Sequence, residues 1–488
     1  MNVQNISRGG QYKVLSSDEL YDIHLASLEV LEKVGIGVND AQALQKFEDH
    51  GATVDYKLKR AWIPQYMVMD AVRKAPRSVT LCAKDRVYDI KLEDRRVHFG
   101  TGGNALYVLD KNTGARRKAV VDDLKNLALL TNSLDNVQFF QIPVHPSDVP
   151  NEVKGLNRYR AALCYCIKPV YGGVYTLNEV EGVIRMATTI AGGDDELRKR
   201  PLMGFVTCST APLSWDTIYV RVLAEAASRA IPVIISTEPL AGGTGPTTLA
   251  GTVVVQNAEA LSGVVLTQLV NPGTPVIYGT VATIMDPKSG NYVAGAVEMG
   301  LLNVAGAQLA QYYELPIYAT GGMTDSKVID VQAGYEKAIT SLMAGLAGAN
   351  LVHNAAGFLE SALTYSYEQM VIDDEILGMV NRALRGIEVN DETLAVNVIN
   401  DIGPGGHFLA HPHTLTHIGS EFFLPNISDR ARREGWEKTG AKDAWQRSRE
   451  RTRALLKTAK QNIIDTDIKA EVDKIFKEEV QRILKKNL

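Results

Sequence analysis

Between residues 168 and 353 the chain repeats one pattern of apolar and polar positions six times. Each repeat is a short β-branched run, a glycine-rich or polar stop, and a long segment with apolar residues at helical spacing. The runs are KPVYGGVY from Lys168, PLMGFVTCST from Pro201, IPVIISTE from Ile231, TPVIYGT from Thr274, LPIYATGG from Leu315 and ANLVHNAA from Ala349. A period-2 strand signal alternating with a helical signal every ~30 to 45 residues predicts βα units around a parallel sheet. Upstream, DDLKNLALLTNSL (122–134) predicts a helix leading into VQFFQIPV, a seventh strand. ALTYS (362–366) and HFLAH (407–411) compete for the eighth place. The predicted fold is α/β, a TIM (β/α)8 barrel with N-terminal helical and small β-rich additions and a C-terminal helical tail.

The flanks carry other textures. Ser16 and Ser17 can cap a helix whose Leu20, Ile23, Leu28, Leu31 and Val34 share a face and which Gly35 stops. From Ala52 to Asp110 short strands (SVTLCA, VYDIKL, VHFG, ALYVLD) suggest a β-rich cap outside the barrel. The division expected is a cap over 1–120, a barrel over 121–427 and an amphipathic helical extension over 428–488. Within the barrel, Asn178 with Glu181 resembles a capping box, Thr247 and Thr248 are N-cap candidates, Gly273 closes its unit and Gly348 suits a C-cap. Helices rich in Gly, Ala and Ser point to close packing or a homo-oligomer.

Composition narrows the class. With 488 residues, 45% hydrophobic, 22% charged and a net charge of −4, the chain can bury a large core and lacks the positive field of a nucleic-acid binder. The first twenty residues hold no apolar signal region, and no stretch reaches ~18 uninterrupted apolar residues, so no membrane span is expected. Four cysteines (Cys82, Cys164, Cys166, Cys208) are too few for a disulfide framework, and a reduced, cytoplasmic setting is expected.

In a (β/α)8 barrel, chemistry sits just beyond the C-terminal ends of the strands. Those positions carry Glu238, Tyr278, Tyr318, His353, Phe358 and Asp325, but no lysine, because Lys288 and Lys327 lie beyond the loops; a Schiff-base enzyme is therefore disfavoured. The loop with Gly242, Gly243 and Gly245 runs into a helix and could present N–H groups to an anion, yet it has neither a Walker lysine nor GxGxxG spacing. His407, His411, His413 and His417 crowd GGHFLAHPHTLTH, but Pro412 interrupts it and no HExxH is present, so no metal is expected and the imidazoles read as hydrogen-bonding groups of a buried connection. Several aromatic rings near strand ends (Tyr171, Tyr175, Tyr278, Tyr318, Phe358) would suit a quaternary ammonium if they converge.

EPLAGGTGPTTLAGTVVVQNAEALSGVVLTQLVNPGTPVIYG (238–279), DSKVIDVQAGYEKA (325–338), NLVHNAAGFLESALTYSYEQMVIDDEI (350–376), GPGGHFLAHPHTL (403–415) and FGTGGNALYVLD near residue 100 resemble the trimethylamine:corrinoid methyltransferase family. The resemblance implies a TIM barrel that passes a methyl group from an amine to the Co(I) corrinoid (cobalamin) of a separate small protein docking at the barrel mouth, with no cofactor of its own tightly bound. Founding members insert pyrrolysine in the barrel. This chain has ordinary residues throughout, like the branch that demethylates glycine betaine, proline betaine or carnitine. On that basis His353 is expected to contact a substrate carboxylate. Tyr278, Tyr318 and Phe358 would line the cation's pocket and Glu238 would balance its charge. Gly242, Gly243, Gly245, Gly321, Gly322 and Asp325 would face the corrinoid partner. No catalytic residue is assigned. The alternatives are a trimethylamine demethylase lacking pyrrolysine, a barrel that binds a small amine or corrinoid without turnover, and a metal-dependent lyase or hydrolase.

Overall fold

Side chains that are apolar on both faces suit a parallel strand buried between a lumen and a helical layer. In the computed structural model, which describes residues 7–486, all seven predicted runs lie in one eight-stranded parallel sheet. In chain order the strands are β1 (His98–Thr101), β2 (Phe140–Gln141), β3 (Val170–Gly172), β4 (Met203–Cys208), β5 (Val233–Ser236), β6 (Val276–Thr280), β7 (Ile317–Thr320) and β8 (Leu351–Ala356). Each is followed by a helix: α1 (Val121–Asn132), α2 (Lys154–Tyr165), α3 (Leu177–Ala191), α4 (Thr217–Ser228), α5 (Leu249–Val270), α6 (Val297–Tyr312), α7 (Val331–Ala347) and α8 (Tyr367–Leu384). Consecutive strands are neighbours from β2 round to β8, and β8 pairs in parallel with β1. A parallel bridge from Gly100 to Phe139 joins β1 to the start of β2 and closes the (β/α)8 barrel.

The eighth strand is therefore VHFG, placed above in the cap, and neither of the two competing segments. His98 and Phe99 stand in register with Leu351 and Val352. Thr364–Ser366 instead pairs with Tyr107–Leu109 in a separate four-stranded sheet, and residues 407–411 carry no strand. The barrel sheet thus begins inside residues 1–120. The part before β1 lies outside the sheet, as does the following hairpin of Tyr107–Leu109 with Arg116–Lys118. SVTLCA and VYDIKL form a hairpin, Val79–Leu81 with Ile90–Leu92, whose apolar side chains join the lumen core and plug it at the N-terminal end of the strands. Ser16 caps the first helix (Ser17–Glu29) reciprocally with Glu19, and Gly35 ends its continuation at φ +80°.

Two capping details shift. α3 starts after Thr176, with Glu179 accepting from the Thr176 N–H at 3.1 Å, two residues earlier than the pattern suggested. Pro412 opens a helix (Pro412–Glu421) and does not interrupt one, as suits proline in a first turn. Gly348 ends α7 in the left-handed region as expected. α5 is the one described helix long and apolar enough to cross a membrane, and it is buried between the barrel and the N-terminal helices. The C-terminal helices Ala444–Thr458 and Thr466–Lys486 pack on α8 and α3, the latter through ion pairs such as Arg185–Glu478 at 3.3 Å.

The seam predicts its own sensitivity. A Cβ on Gly100 would fall 2.2 Å from ring carbons of Phe139, a ring stacked on Tyr171 inside the lumen. Gly100→Ala should lower stability by about 1–3 kcal/mol through overpacking, read as a shift of the urea midpoint. An unshifted midpoint would show that the seam has room.

Candidate active site

Strand alternation decides which side chains reach the lumen. Phe139, Tyr171, Val206, Ile234, Ile277, Tyr318 and Leu351 fill its lower part. Above them, at the C-terminal ends of the strands, opens a cavity of about 600 Å³. Neighbours in phase with Ile277 point inward, so Tyr278 points outward. Its hydroxyl bonds Gln256 and Asn257 of α5 at 2.8 and 2.9 Å, behind the barrel wall. Phe358 also misses the cavity: it is buried edge-on against Tyr365, with ring centroids 5.1 Å apart. The cation-lining roles expected of these two rings are not supported by their positions.

Tyr318 and His353 do meet at the cavity, stacked at 3.8 Å with planes 6° apart. Tyr318 donates to Gln141 Oε1 at 3.0 Å. The imidazole Nε2 of His353 lies 2.7 Å from Thr320 Oγ1, and its Nδ1 is sealed from solvent. Burial drops its pKa to about 3, so the ring is neutral. His353 therefore presents an aromatic surface and not a hydrogen bond, which corrects its expected contact with a substrate carboxylate.

Glu238 is where expected, on the cavity wall just past β5. The carboxyl is reachable from within the cavity, yet the surrounding protein strips enough water to raise its pKa to about 7, with the Tyr292 hydroxyl donating to it and opposing the shift. Among the described residues no cation pairs with it. Beside it, burial pushes the Cys208 thiol up to about 12, with the Glu238 charge adding to the effect. The thiol is no nucleophile at neutral pH.

Across the cavity stands a residue that the sequence did not announce. Arg158 of α2 is fully buried and reaches the cavity between the ends of β2 and β3. It donates to the carbonyls of Val144, Gly173 and Ile142, to the Tyr175 hydroxyl and to Asn104 Oδ1. Tyr175, already singled out, is thereby fixed at the cavity edge. Asn104, in the loop after β1, adopts φ +83°. His145 packs edge-on against Tyr175 at 4.7 Å and is held neutral, with a pKa of about 4, by burial and then by the Arg158 charge.

The rim loops behave differently from one another. Gly242, Gly243 and Gly245 are at the surface, but their N–H groups bond within their own turn, to Gly245 O and Leu240 O, so the loop offers no anion cradle. Gly321 and Gly322 are buried beneath the rim; a Cβ there would come within 2.9 Å of Val352 and 2.7 Å of Ala355. Asp325 accepts from the N–H groups of Ala294 and Gly295 and from Ser361 Oγ, tying three loops together. These last three residues are clamps and not a docking face. Lys327 lines the cavity mouth, nearer than expected, but is exposed there. The histidines of 407–417 lie on a largely exposed segment and not in a buried one, and among the described residues no group could hold a metal.

In the cavity, Glu238 is the group whose titration falls near neutrality. A cation can rest against it and the Tyr292 and Tyr318 rings.

Comparison with known proteins agrees with this barrel. The trimethylamine methyltransferase (MTTB) family profile matches residues 1–481. A trimethylamine methyltransferase MttB of Desulfitobacterium hafniense strain DCB-2 is 38% identical over 463 residues, covering 95% of this chain and 93% of the relative. A glycine betaine methyltransferase of Desulfitobacterium hafniense strain Y51 is 33% identical over 465 residues, covering 95% and 96%. The crystal structure of the Methanosarcina barkeri monomethylamine methyltransferase (MtmB) superposes with a TM-score of 0.54 at 12% identity, covering 93% of this chain and 89% of that one, and bears on the fold alone. Matched along nearly its whole length, the chain is a methyltransferase and belongs to the trimethylamine methyltransferase family.

Proposed function

We propose that this protein moves a methyl group from a quaternary ammonium compound, glycine betaine first and proline betaine or carnitine next, to the Co(I) corrinoid of a partner protein. The observation that carries the reading is Glu238: a carboxylate on the wall of a barrel-end cavity, without a cation to pair with among the described residues, beside aromatic rings. Relatives named for glycine betaine and for trimethylamine flank the choice, and chemistry favours the quaternary amine. A tertiary amine must be protonated or otherwise activated before it leaves, and in the cavity His353 stays neutral, Cys208 stays protonated, and Glu238, which titrates near neutrality, must be ionised to hold a cation. A quaternary nitrogen already carries its charge and departs as a neutral amine.

The acceptor supplies a strong cobalt nucleophile, which leaves this chain to bind, orient and exclude water. Glu238 and Tyr292 hold the onium, and the stacked Tyr318 and His353 form a floor against which the methyl groups settle. Charge disperses as the methyl leaves, so a single carboxylate, not a tight cage, keeps the ground state from being bound too well. The rim near Gly242, Gly243 and Gly245 is the exposed side from which the acceptor can approach.

Incubation with reduced cob(I)alamin and a panel of methylated amines tests the reading. Methylcob(III)alamin should appear in the visible spectrum with quaternary amines and not with trimethylamine; transfer from trimethylamine alone would overturn it. A second expectation concerns pH. A quaternary ammonium ion has no proton to lose, and only ionised Glu238 attracts it. Calorimetric affinity should therefore fall about tenfold per pH unit below about 7 and level off above it. Glu259 also titrates near 7 but bonds Ser209 and the Leu213 N–H away from the cavity. Glu238→Gln should accordingly flatten the profile, and a profile unchanged by that substitution would remove Glu238 from the site.

A further inference from the structure

Buried charges in proteins are ordinarily paired. Among the described residues Arg158 is not: its five N–H donors all go to neutral oxygens, three backbone carbonyls, one phenol and one amide. Glu179, the acidic residue at the same corner, is occupied by the N–H groups of Leu156, Tyr175 and Thr176. The guanidinium charge is thus left facing the cavity, on the side formed by the ends of β1, β2 and β3, while the charge of Glu238 stands past β5.

The same hydrogen bonds fix which atoms meet a ligand. A guanidinium can only donate, so Asn104 must turn its oxygen toward Arg158. That oxygen also accepts from the Tyr175 hydroxyl at 2.7 Å. Asn104 Nδ2 is left as the atom offered to the cavity, on an exposed side chain whose backbone is held at φ +83°, a strained conformation of the kind found where a site requires it. Gln141 repeats the arrangement: its Oε1 accepts from Tyr318, leaving Nε2. A Cβ on Gly103 would lie 3.0 Å from that nitrogen, so glycine there keeps the amide uncovered.

We propose that Arg158, Asn104, Tyr175 and Gln141 form a carboxylate-reading subsite, in which the two amide nitrogens donate to the carboxylate and Arg158 acts as a positioning residue that supplies the field. The cavity then has a positive and a negative pole and selects a zwitterion over a simple cation. This rests on the reading of the cavity as an onium site and adds the residues that discriminate among such ligands.

Glycine betaine and choline differ at the far end, carboxylate against hydroxyl, and calorimetry of each measures the ratio of their affinities without turnover. The wild-type protein should favour glycine betaine by tenfold or more. Asn104→Asp, nearly the same shape, places a carboxylate against Arg158 and cancels the pole from within, so the ratio should fall by at least tenfold. Gln141→Glu should lower it in the same direction and serves if the first variant melts early by circular dichroism. Equal affinity of the wild-type protein for the two ligands, or a ratio unmoved by a folded variant, overturns the subsite. Failure of both ligands to methylate cob(I)alamin, with the ratio intact, would instead sink methyl transfer and leave the subsite standing.

Discussion

The contact on which the molecule turns is the one between Gly100 and the Phe139 ring. An open parallel sheet of eight strands would leave two edges and no lumen. Here β1 is only four residues long, and its bridge to the start of β2 exists because position 100 has no side chain to hold the Phe139 ring away. Closure at that seam turns seven βα repeats and one inconspicuous strand into a cavity. It also delivers the Gly102–Asn104 loop to the cavity edge beside Arg158.

Closure sets the electrostatics too. Inside the wall, water is scarce and an unpaired charge is expensive, but the two charged poles respond differently. Glu238 can take up a proton, and its pKa of about 7 records that option. Arg158 cannot lose one at any ordinary pH, so the fold must satisfy it with oxygens, and five donors matched to five acceptors do so. One pole can therefore switch with pH and the other is permanent. In the proposed reaction the ionised carboxylate serves to hold the cation, since a quaternary leaving group needs no proton.

Much of the architecture was legible because strand and helix periods differ and the repeat was regular. The eighth strand was not: VHFG follows a charged turn and a hairpin, so its local texture matched the cap that precedes it, and only pairing with β8 identifies it. Glu238 and Tyr318 could be read from strand-end position alone. Tyr278 and Phe358 could not, since a single residue of phase separates the lumen from the helical layer, and nothing in TPVIYGT sets that phase. The site of His353 was legible, but its role was not, because the Thr320 contact and the Tyr318 stack come from the neighbouring strand. Arg158 left no signal at all. It sits on a helix, and its partners come from loops after three different strands.

The mouth is anchored by buried charge on one side and by strand pairing on another. Beneath the β7 and β8 loops, Lys337 of α7 bonds the carbonyls of Gly322 and Phe358 and pairs with Asp373 of α8 at 3.2 Å. Asp373 in turn accepts from the Gly357 N–H at 2.6 Å. Burial pulls both groups toward their neutral forms and their mutual attraction opposes it, so such a pair contributes little net stability. Its effect is geometric: three backbone groups from two loops are fixed relative to two helices, and with them the Met323, His353 and Asn354 wall of the cavity. On the β5 side, the turn from Leu240 to Gly245 closes on itself and also pairs Leu240 and Ala241 with Thr283 and Ile284 of the loop after β6. The wall tied to buried charge is the one that backs the stacked Tyr318 and His353, while the side past β5 is tied by strand pairing and leaves Gly242 and Gly243 exposed at its tip.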